Sequence, residues 1–118
     1  MKVGEHHLVI FTVFIGLFED DQMKGEGVYT YSNGDVYTGE FVYEVKEGYG
    51  LYVFQNGNRY QGHFHNNHFN GTGTFTYASG ETYEGEFKDG KKHGKGKIVY
   101  TSGKEFEGQF SHGNIVVL

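Results

Sequence analysis

The chain of 118 residues contains no cysteine, no proline and no tryptophan. Without cysteine there is no disulfide framework and no thiolate to hold a metal or act as a nucleophile. The net charge of -5 opposes general attraction to nucleic acid phosphates, so no nucleic-acid partner is expected. No apolar run reaches the roughly 18 residues that a membrane-spanning helix needs. Glycine and aromatic residues are abundant instead, with 20 glycines, 10 tyrosines and 11 phenylalanines.

These glycines and aromatics recur with a period of 23 residues. The segments "YTGEF", "YQGHF" and "YEGEF" begin at Tyr37, Tyr60 and Tyr83, and the same spacing reaches "FIGLF" at Phe14 and "FEGQF" at Phe106. Counted from this first aromatic, glycine recurs 2, 11, 13 and 20 residues later, phenylalanine 4 residues later, and mostly aromatic residues 15 and 17 later. Such regularity indicates structural repeats and not low complexity.

The repeat positions predict two strands per unit. Residues two apart share one face of a strand, so each first strand carries aromatic, glycine and aromatic on one face. By the same rule we expect the glycines at 11 and 13 to share a face with the aromatics at 15 and 17 on each second strand. Dipeptides such as Asn33-Gly34 are typical of hairpin turns between strands. A strand glycine leaves space over which a neighbouring ring lies.

The predicted fold is therefore all-β, a single antiparallel meander of repeated two-stranded hairpins. It is solenoid-like, since each hairpin contacts mainly its neighbours, and we expect it to be curved or twisted with a groove.

The unit "YEGEFKDGKKHGKGKIVYTSGKE", from Tyr83 to Glu105, resembles a MORN (membrane occupation and recognition nexus) repeat. Glu44 and Asn67 depart from it where the signature prefers glycine, and Ile15 and Leu17 replace polar residues. The resemblance spans residues 14–113. It divides the chain into a lead-in at 1–13, units at 14–36, 37–59, 60–82 and 83–105, and a partial unit at 106–118.

The resemblance implies a non-catalytic scaffold of cilia, flagella, the cortical cytoskeleton or membrane junctions. It also leaves open that the chain is a fragment or accessory segment of a larger MORN-repeat protein. Localisation is expected to be cytoplasmic, with cytoskeletal or peripheral membrane association, and secretion is less favoured.

The aromatic residues of the second strands are candidates for a partner-binding groove. Aromatic-lined grooves suit an extended or helical peptide, and the alternative is that the rings only form the core of a thin sheet. The candidates are Tyr29, Tyr31, Tyr52, Phe54, Phe75, Tyr77 and Tyr100.

A basic run in the third full unit is a candidate for binding anionic phospholipid. Basic residues near an anionic surface contribute about 1 kcal/mol each. The candidates are Lys88, Lys91, Lys92, His93, Lys95 and Lys97. The alternative is a solvated hairpin loop, because Asp89, Glu84 and Glu86 weaken its field.

Catalytic and metal sites have little support. His63 and His65 share a strand face with His68 close by, but further ligands are not evident, so they are interpreted as surface histidines. The serines, Ser32, Ser79, Ser102 and Ser111, fall in turns or at a strand end with no histidine and carboxylate tied to them. We predict no enzyme activity, no metal and no cofactor.

The stretch "LVIFTVFIGLF" at residues 8–18 is the most apolar part of the chain. A signal peptide is disfavoured, because a basic start and a small-residue cleavage site are missing and Phe14, Gly16 and Phe18 follow the 23-residue spacing. A strand that is apolar on both faces is expected to be covered on both. We predict a self-association edge at Phe11, Val13, Ile15 and Leu17. Its cover would be a second copy forming a homodimer, a partner protein, or upstream sequence.

Overall fold

The computed structural model describes residues 13–117, which form a sheet of ten strands and contain no helix. The strands are β1 Val13–Glu19, β2 Gln22–Thr30, β3 Val36–Val42, β4 Val45–Val53, β5 Arg59–His65, β6 His68–Thr76, β7 Thr82–Lys88, β8 Lys91–Val99, β9 Glu105–Ser111 and β10 Asn114–Ile115. Each strand pairs antiparallel with its neighbours in sequence, in the order β1 to β10. The predicted all-β antiparallel meander is confirmed. Phe11 lies outside the described residues.

The turns inside the units are tight two-residue hairpins. At the β7–β8 turn, Asp89 and Gly90 have φ of 48° and 87°, the pair of positive values that defines a type I′ turn. The same conformation occurs at Asp20–Asp21, Tyr43–Glu44, Asn66–Asn67 and His112–Gly113. Its twist matches that of the flanking strands, so each hairpin enters the sheet without splaying.

Glu44 and Asn67 replace the usual glycine in these turns and make contacts that glycine cannot. The Asn67 side-chain oxygen accepts a 2.8 Å hydrogen bond from the backbone N–H of Lys46, one unit earlier. The Glu44 carboxylate accepts the corresponding bond from the N–H of Met23. These side chains therefore tie one unit to the preceding one, which offsets the strain of a left-handed backbone.

Each turn between units contains one glycine with a positive φ. The N–H of Gly34 donates to the carbonyl of Tyr31 at 3.0 Å, and the N–H of Tyr31 donates to the carbonyl of Asp35 at 2.9 Å. Gly34 has φ of 97°, the left-handed value required in a three-residue hairpin loop. Thus the glycine of the predicted Asn-Gly dipeptide supplies the positive φ.

A row of glycines crosses the sheet from β1 to β9. Neighbouring strands pair glycine with glycine at every step, in the order Gly16, Gly27, Gly39, Gly50, Gly62, Gly73, Gly85, Gly96 and Gly108. A Cβ added to Gly50 would lie 2.5 Å from a ring carbon of Tyr37. The prediction that rings lie over strand glycines is confirmed for this row.

The glycines 11 residues into each unit do not lie on the face we expected. Gly39 pairs with Gly50 and Phe41 with Lys46, so residues 47–49 bulge opposite Glu40. Gly48 sits in this bulge with φ of 87°, and a Cβ there would point at the Glu40 carboxylate on the opposite face. The bulge breaks the two-residue alternation, which is why the sequence-based prediction was wrong at this position.

Ten rings form a continuous spine on the face of the sheet where rings cover the glycine row. We call this face the aromatic face. Their order is Phe18, Phe14, Phe41, Tyr37, Phe64, Tyr60, Phe87, Tyr83, Phe110 and Phe106. The first eight contacts are edge-to-face, with centroids 5.0 to 5.2 Å apart and planes at 82° to 90°. Tyr37, Tyr60 and Tyr83 are fully buried, and each donates its hydroxyl to a backbone carbonyl three residues on. The seven rings from Phe41 to Phe110 are buried and form the core together with Met23.

Replacing Gly62 with alanine should lower the free energy of unfolding by at least about 3 kcal/mol. The new Cβ would lie 2.5 Å from the Cα of Gly73 and 2.6 Å from the carbonyl of Thr72, and backbone cannot move aside as a side chain can. Urea denaturation gives the measurement. Gly103→Ala is the matched control, since its φ is 92° but nothing lies within 4 Å, so it should cost only about 1 kcal/mol. Equal losses in the two variants would contradict this explanation.

Candidate functional site

Six of the seven predicted groove residues form one contiguous file of half-buried rings beside the spine. Successive centroids are 4.6 to 5.9 Å apart along Tyr29, Tyr31, Tyr52, Phe54, Phe75 and Tyr77. We call this the side file. Tyr100 holds the same repeat position one unit further on, with an exposed side chain. The paired rows of β2–β3, β4–β5 and β6–β7 place the side file on the aromatic face.

The other wall of the groove comes from residues that sequence reasoning did not assign to it. They lie nine residues after the first aromatic of each unit and are Met23, Lys46, Phe69, Lys92 and Ile115. Each pairs across its hairpin with the spine phenylalanine, as Phe69 does with Phe64, so it shares the aromatic face. The 23-residue spacing was the available signal, but the mixed chemistry of the position hid it.

The two walls meet over the spine. The Phe69 ring stacks on Tyr60 with centroids 3.9 Å apart, and it lies perpendicular to the Phe54 ring with centroids 6.3 Å apart. The Lys46 ammonium donates to the Tyr31 hydroxyl at 2.7 Å, and Lys92 donates to the Tyr77 hydroxyl at 2.5 Å. The lysines thus cross the groove two units apart, with an apolar section between them.

This middle section contains two cavities, of about 260 Å³ and about 200 Å³. The first is lined by Lys46, Tyr52, Phe54, Phe64, Asn67, His68, Phe69 and Gly90. The second is lined by Phe69, Phe75, Tyr77, Phe87, Gly90, Lys91, Lys92 and Gly113. They share Phe69 and Gly90 and are therefore consecutive stretches of one groove.

The two groove lysines are cations held among aromatic rings. The Lys46 ammonium lies 5.3 to 5.9 Å from the ring centroids of Tyr31, Tyr37 and Tyr52. Burial lowers the pKa of Lys46 below its ordinary value. Within residues 13–117, no carboxylate comes within 4 Å of the Lys46 or Lys92 ammonium. Ring faces attract a cation but do not neutralise it, so both charges suit an external anionic group.

Asp35 fixes the Tyr52 ring of the side file. Its buried carboxylate accepts hydrogen bonds from the Tyr52 hydroxyl at 2.7 Å and the Gln55 N–H at 2.8 Å. Burial by itself would raise the pKa of Asp35, but the hydrogen bonds from Tyr52, Gln55 and Asn33 hold it below its ordinary value. The Tyr52 hydroxyl therefore already donates its proton to Asp35, and this ring presents mainly its apolar surface to the groove.

The structure brings together only three of the six residues of the predicted basic patch. Lys88 pairs directly with Lys91, and both line a cavity of about 450 Å³ with His93, Asp89 and His112 on the face opposite the spine. Lys95 and Lys97 line a separate cavity of about 500 Å³ with Glu84 and Glu107, and Lys97 pairs with Glu105 at 3.6 Å. Lys92 points to the aromatic face.

The predicted surface histidines are engaged individually. His63 and His65 are exposed on one face of β5, with His65 2.8 Å from the Glu47 carboxylate and the His63 ring edge-on to Tyr49. Across the described residues, no group of three or more metal-ligating side chains is placed to hold a metal ion.

Among the serines, Ser79 donates to Glu81 at 2.7 Å, and Ser111 lies 2.9 Å from the ring of its neighbour His112 in an exposed contact.

Three of the four residues of the predicted self-association edge, Val13, Ile15 and Leu17, lie on the strand β1. Ile15 and Leu17 are exposed on the face opposite the spine, and the backbone of Val13 pairs with Thr30. The part of the chain that the structure describes contains no helix long and apolar enough to cross a membrane.

A single layer of repeated hairpins, each packed on its neighbours, defines a solenoid-like repeat protein. The family model of the MORN repeat matches residues 14–36, 37–59, 60–82 and 83–105, four consecutive repeats. The chain belongs to the MORN repeat family. This repeat is generally a non-catalytic module, often for interaction with proteins or membranes. No curated protein matches the chain.

Alkaline pH should unfold the protein through its buried phenols. Burial raises the pKa of Tyr31 and Tyr83 from 10.0 to about 12. A phenol whose pKa is raised by folding stabilises the fold while it is protonated, so this contribution is complete below the unfolded pKa and is lost as pH rises through the folded one. We expect the free energy of unfolding, measured by urea denaturation, to fall between about pH 10 and pH 12, and Tyr83→Phe to make that fall shallower. An unchanged slope in Tyr83→Phe would contradict this assignment.

Proposed function

We propose that the chain is a non-catalytic interaction scaffold whose groove binds a segment of a partner protein. The observation that carries this proposal is the apolar middle of the groove. It is flanked by the ammonium groups of Lys46 and Lys92, and no carboxylate of the described residues lies within 4 Å of either. The segment we infer presents apolar or aromatic side chains between acidic residues. The setting we propose is a cytoplasmic assembly, cytoskeletal or membrane-associated.

The apolar anchor fits the middle section. Phe54 and Phe75 are half-buried, so a partner side chain that covers them gains about 25 cal/mol for each Å² of apolar surface removed from water. Both cavities have room for one side chain each. Aromatic anchors seated in such cavities dominate the affinity of most protein interfaces.

The acidic flanks follow from the spacing of the lysines. Lys46 lies on β4 and Lys92 on β8, four strands apart, which is about 19 Å at ~4.8 Å per strand. An extended segment covers that distance in about six residues, and a helix in about 13. A carboxylate at each end would replace the tyrosine hydroxyl as the lysine's partner and form a charge-assisted hydrogen bond.

Selection from a displayed library of random peptides tests this proposal. We expect the enriched peptides to carry aromatic or aliphatic residues between acidic ones. One enriched peptide, synthesised with a fluorescent label, is then titrated with the protein by anisotropy. Lys46→Glu and Lys92→Glu should each weaken binding at least about tenfold, because a buried charge pair becomes repulsive.

Lys95→Glu is the matched control for this experiment. It makes the same charge change on the opposite face, where Lys95 is exposed, so binding should change by less than about twofold. Thermal unfolding of all three variants separates lost binding from lost folding. Enriched peptides without acidic residues, or equal effects of Lys92→Glu and Lys95→Glu, would overturn the proposal.

A second candidate function is binding to an anionic membrane surface. The observation that favours it is the cavity of about 450 Å³ where Lys88, Lys91 and His93 converge. Flotation with phosphoinositide vesicles tests it, since Lys88→Glu with Lys91→Glu should abolish co-flotation. Lys92→Glu, on the aromatic face, is the control that should leave it intact. Vesicle binding that Lys92→Glu removes equally would count against this surface.

A further inference from the structure

β1 is the edge strand of the sheet within residues 13–117, since its backbone pairs only with β2. Three of its exposed side chains are large and apolar, with Ile15 70%, Leu17 69% and Phe18 60% exposed. The phenylalanine at the same position in the next unit, Phe41, is 2% exposed. An edge of this kind, unpaired on one side and apolar from Phe14 to Phe18, is a template for pairing with another strand.

The sequence of β1 is chemically symmetric about Gly16. In "FIGLF", the residues on either side of this glycine match: Ile15 corresponds to Leu17, and Phe14 corresponds to Phe18. None of the other units combines this symmetry with apolar side chains, since the inner pair is threonine with glutamate in "YTGEF" and two glutamates in "YEGEF", whose like charges would meet in such a pairing. An antiparallel pair of identical strands related by a two-fold axis at Gly16 would place like beside like from Phe14 to Phe18.

The same two-fold axis continues the rule that orders the rest of the sheet. From β1 to β9, adjacent strands pair glycine with glycine, and Gly16 already pairs with Gly27. On its open side, Gly16 would pair with Gly16 of the partner subunit, which extends the glycine row into a second array. An axis perpendicular to the sheet keeps both aromatic faces on one side.

The ring spine is also incomplete at β1. The Phe41 ring contacts the Phe14 ring of the preceding unit with centroids 5.2 Å apart, and Phe64 contacts Tyr37 in the same way at 5.0 Å. Phe18 holds the same position but has only the contact with Phe14 of its own unit among the described rings. In the two-fold pairing, Phe14 of the partner subunit would lie directly beside Phe18.

We propose that the chain forms a two-fold symmetric dimer through β1, with residues 13–19 of the two copies paired antiparallel about Gly16. Charge does not oppose this pairing. The one charged residue of β1, Glu19, bonds to Lys24 at 3.1 Å and would stand opposite Val13 of the partner subunit. With seven residues from each chain, the interface is small, and we expect micromolar association.

Cysteine pairing tests the register, because the chain has no cysteine of its own. Ile15→Cys and Leu17→Cys chains are prepared separately, then oxidised alone and mixed. Directly opposed Cβ atoms lie about 4.5–5.5 Å apart, and diagonal ones about 7–8 Å, while a disulfide needs about 3.5–4.5 Å. The mixture should therefore yield at least about fivefold more cross-linked dimer than either chain alone.

Val28→Cys is the matched control for the cross-linking. It lies on the same face one strand inward, where it pairs with Ile15 of its own chain. Mixed with Leu17→Cys, it should give no cross-link above background. Cross-linking of Ile15→Cys with itself as efficiently as with Leu17→Cys would overturn the register.

Sedimentation equilibrium of the full chain tests the dimer itself. We expect a monomer–dimer equilibrium whose dissociation constant rises at least about tenfold in the double variant Ile15→Thr and Leu17→Glu. This variant should keep its thermal stability, because both side chains are exposed and the next unit carries Thr38 and Glu40 at these positions. A monomer at all concentrations up to about 300 μM would overturn the proposal, as would a dimer that the variant leaves unchanged. Residues 1–12 or another protein would then be the cover of β1.

Discussion

The fold depends on edge-to-face contact between aromatic rings of successive units. Phe41, Phe64, Phe87 and Phe110 each lie roughly perpendicular to one ring of their own unit and one of the unit before, as Phe64 does with Tyr60 and Tyr37. A single sheet has no second layer to cover it, so apolar burial must come from side chains large enough to fold back over their own backbone. Tyrosine and phenylalanine do this, and aromatic pairs add about 0.5–1.5 kcal/mol beyond the area they bury.

Glycine makes that folding back possible in two ways. In the row from Gly16 to Gly108, the missing side chain admits a ring against the backbone. In the bulges, the left-handed conformation of residues such as Gly48 bends the second strand. The bend brings Lys46, Phe69 and Lys92 over the spine toward the side file. Core and groove thus arise from the same glycine spacing.

Most of the fold could be predicted from the sequence because the repeat is exact in spacing at the residues that build the core. The two-residue alternation placed the spine and the side file on one face, and the turns fell at the expected glycines. The bulge at Gly48 escaped prediction, because its glycine also fits a regular strand. The groove lysines escaped because Lys92 reads as part of a basic run, and only the folded strand shows that it points away from Lys91.

The candidate site was harder to predict than the fold for a physical reason. Core positions require one type of side chain, so they repeat visibly along the chain. The position of Lys46 requires only a long side chain with an apolar stem, which methionine, lysine, phenylalanine and isoleucine all satisfy. Because the side chain at this position varies, units with the same architecture have different groove surfaces.

The orientation of the strands has a mechanical consequence. The described part of the chain measures 59 × 27 × 19 Å, and the strands succeed one another along its length from β1 to β10. Tension between its two ends therefore acts along the backbone hydrogen bonds and starts at one edge, where a strand can peel away before the next is strained. A tether built this way lengthens hairpin by hairpin under force and re-forms from the hairpins that remain.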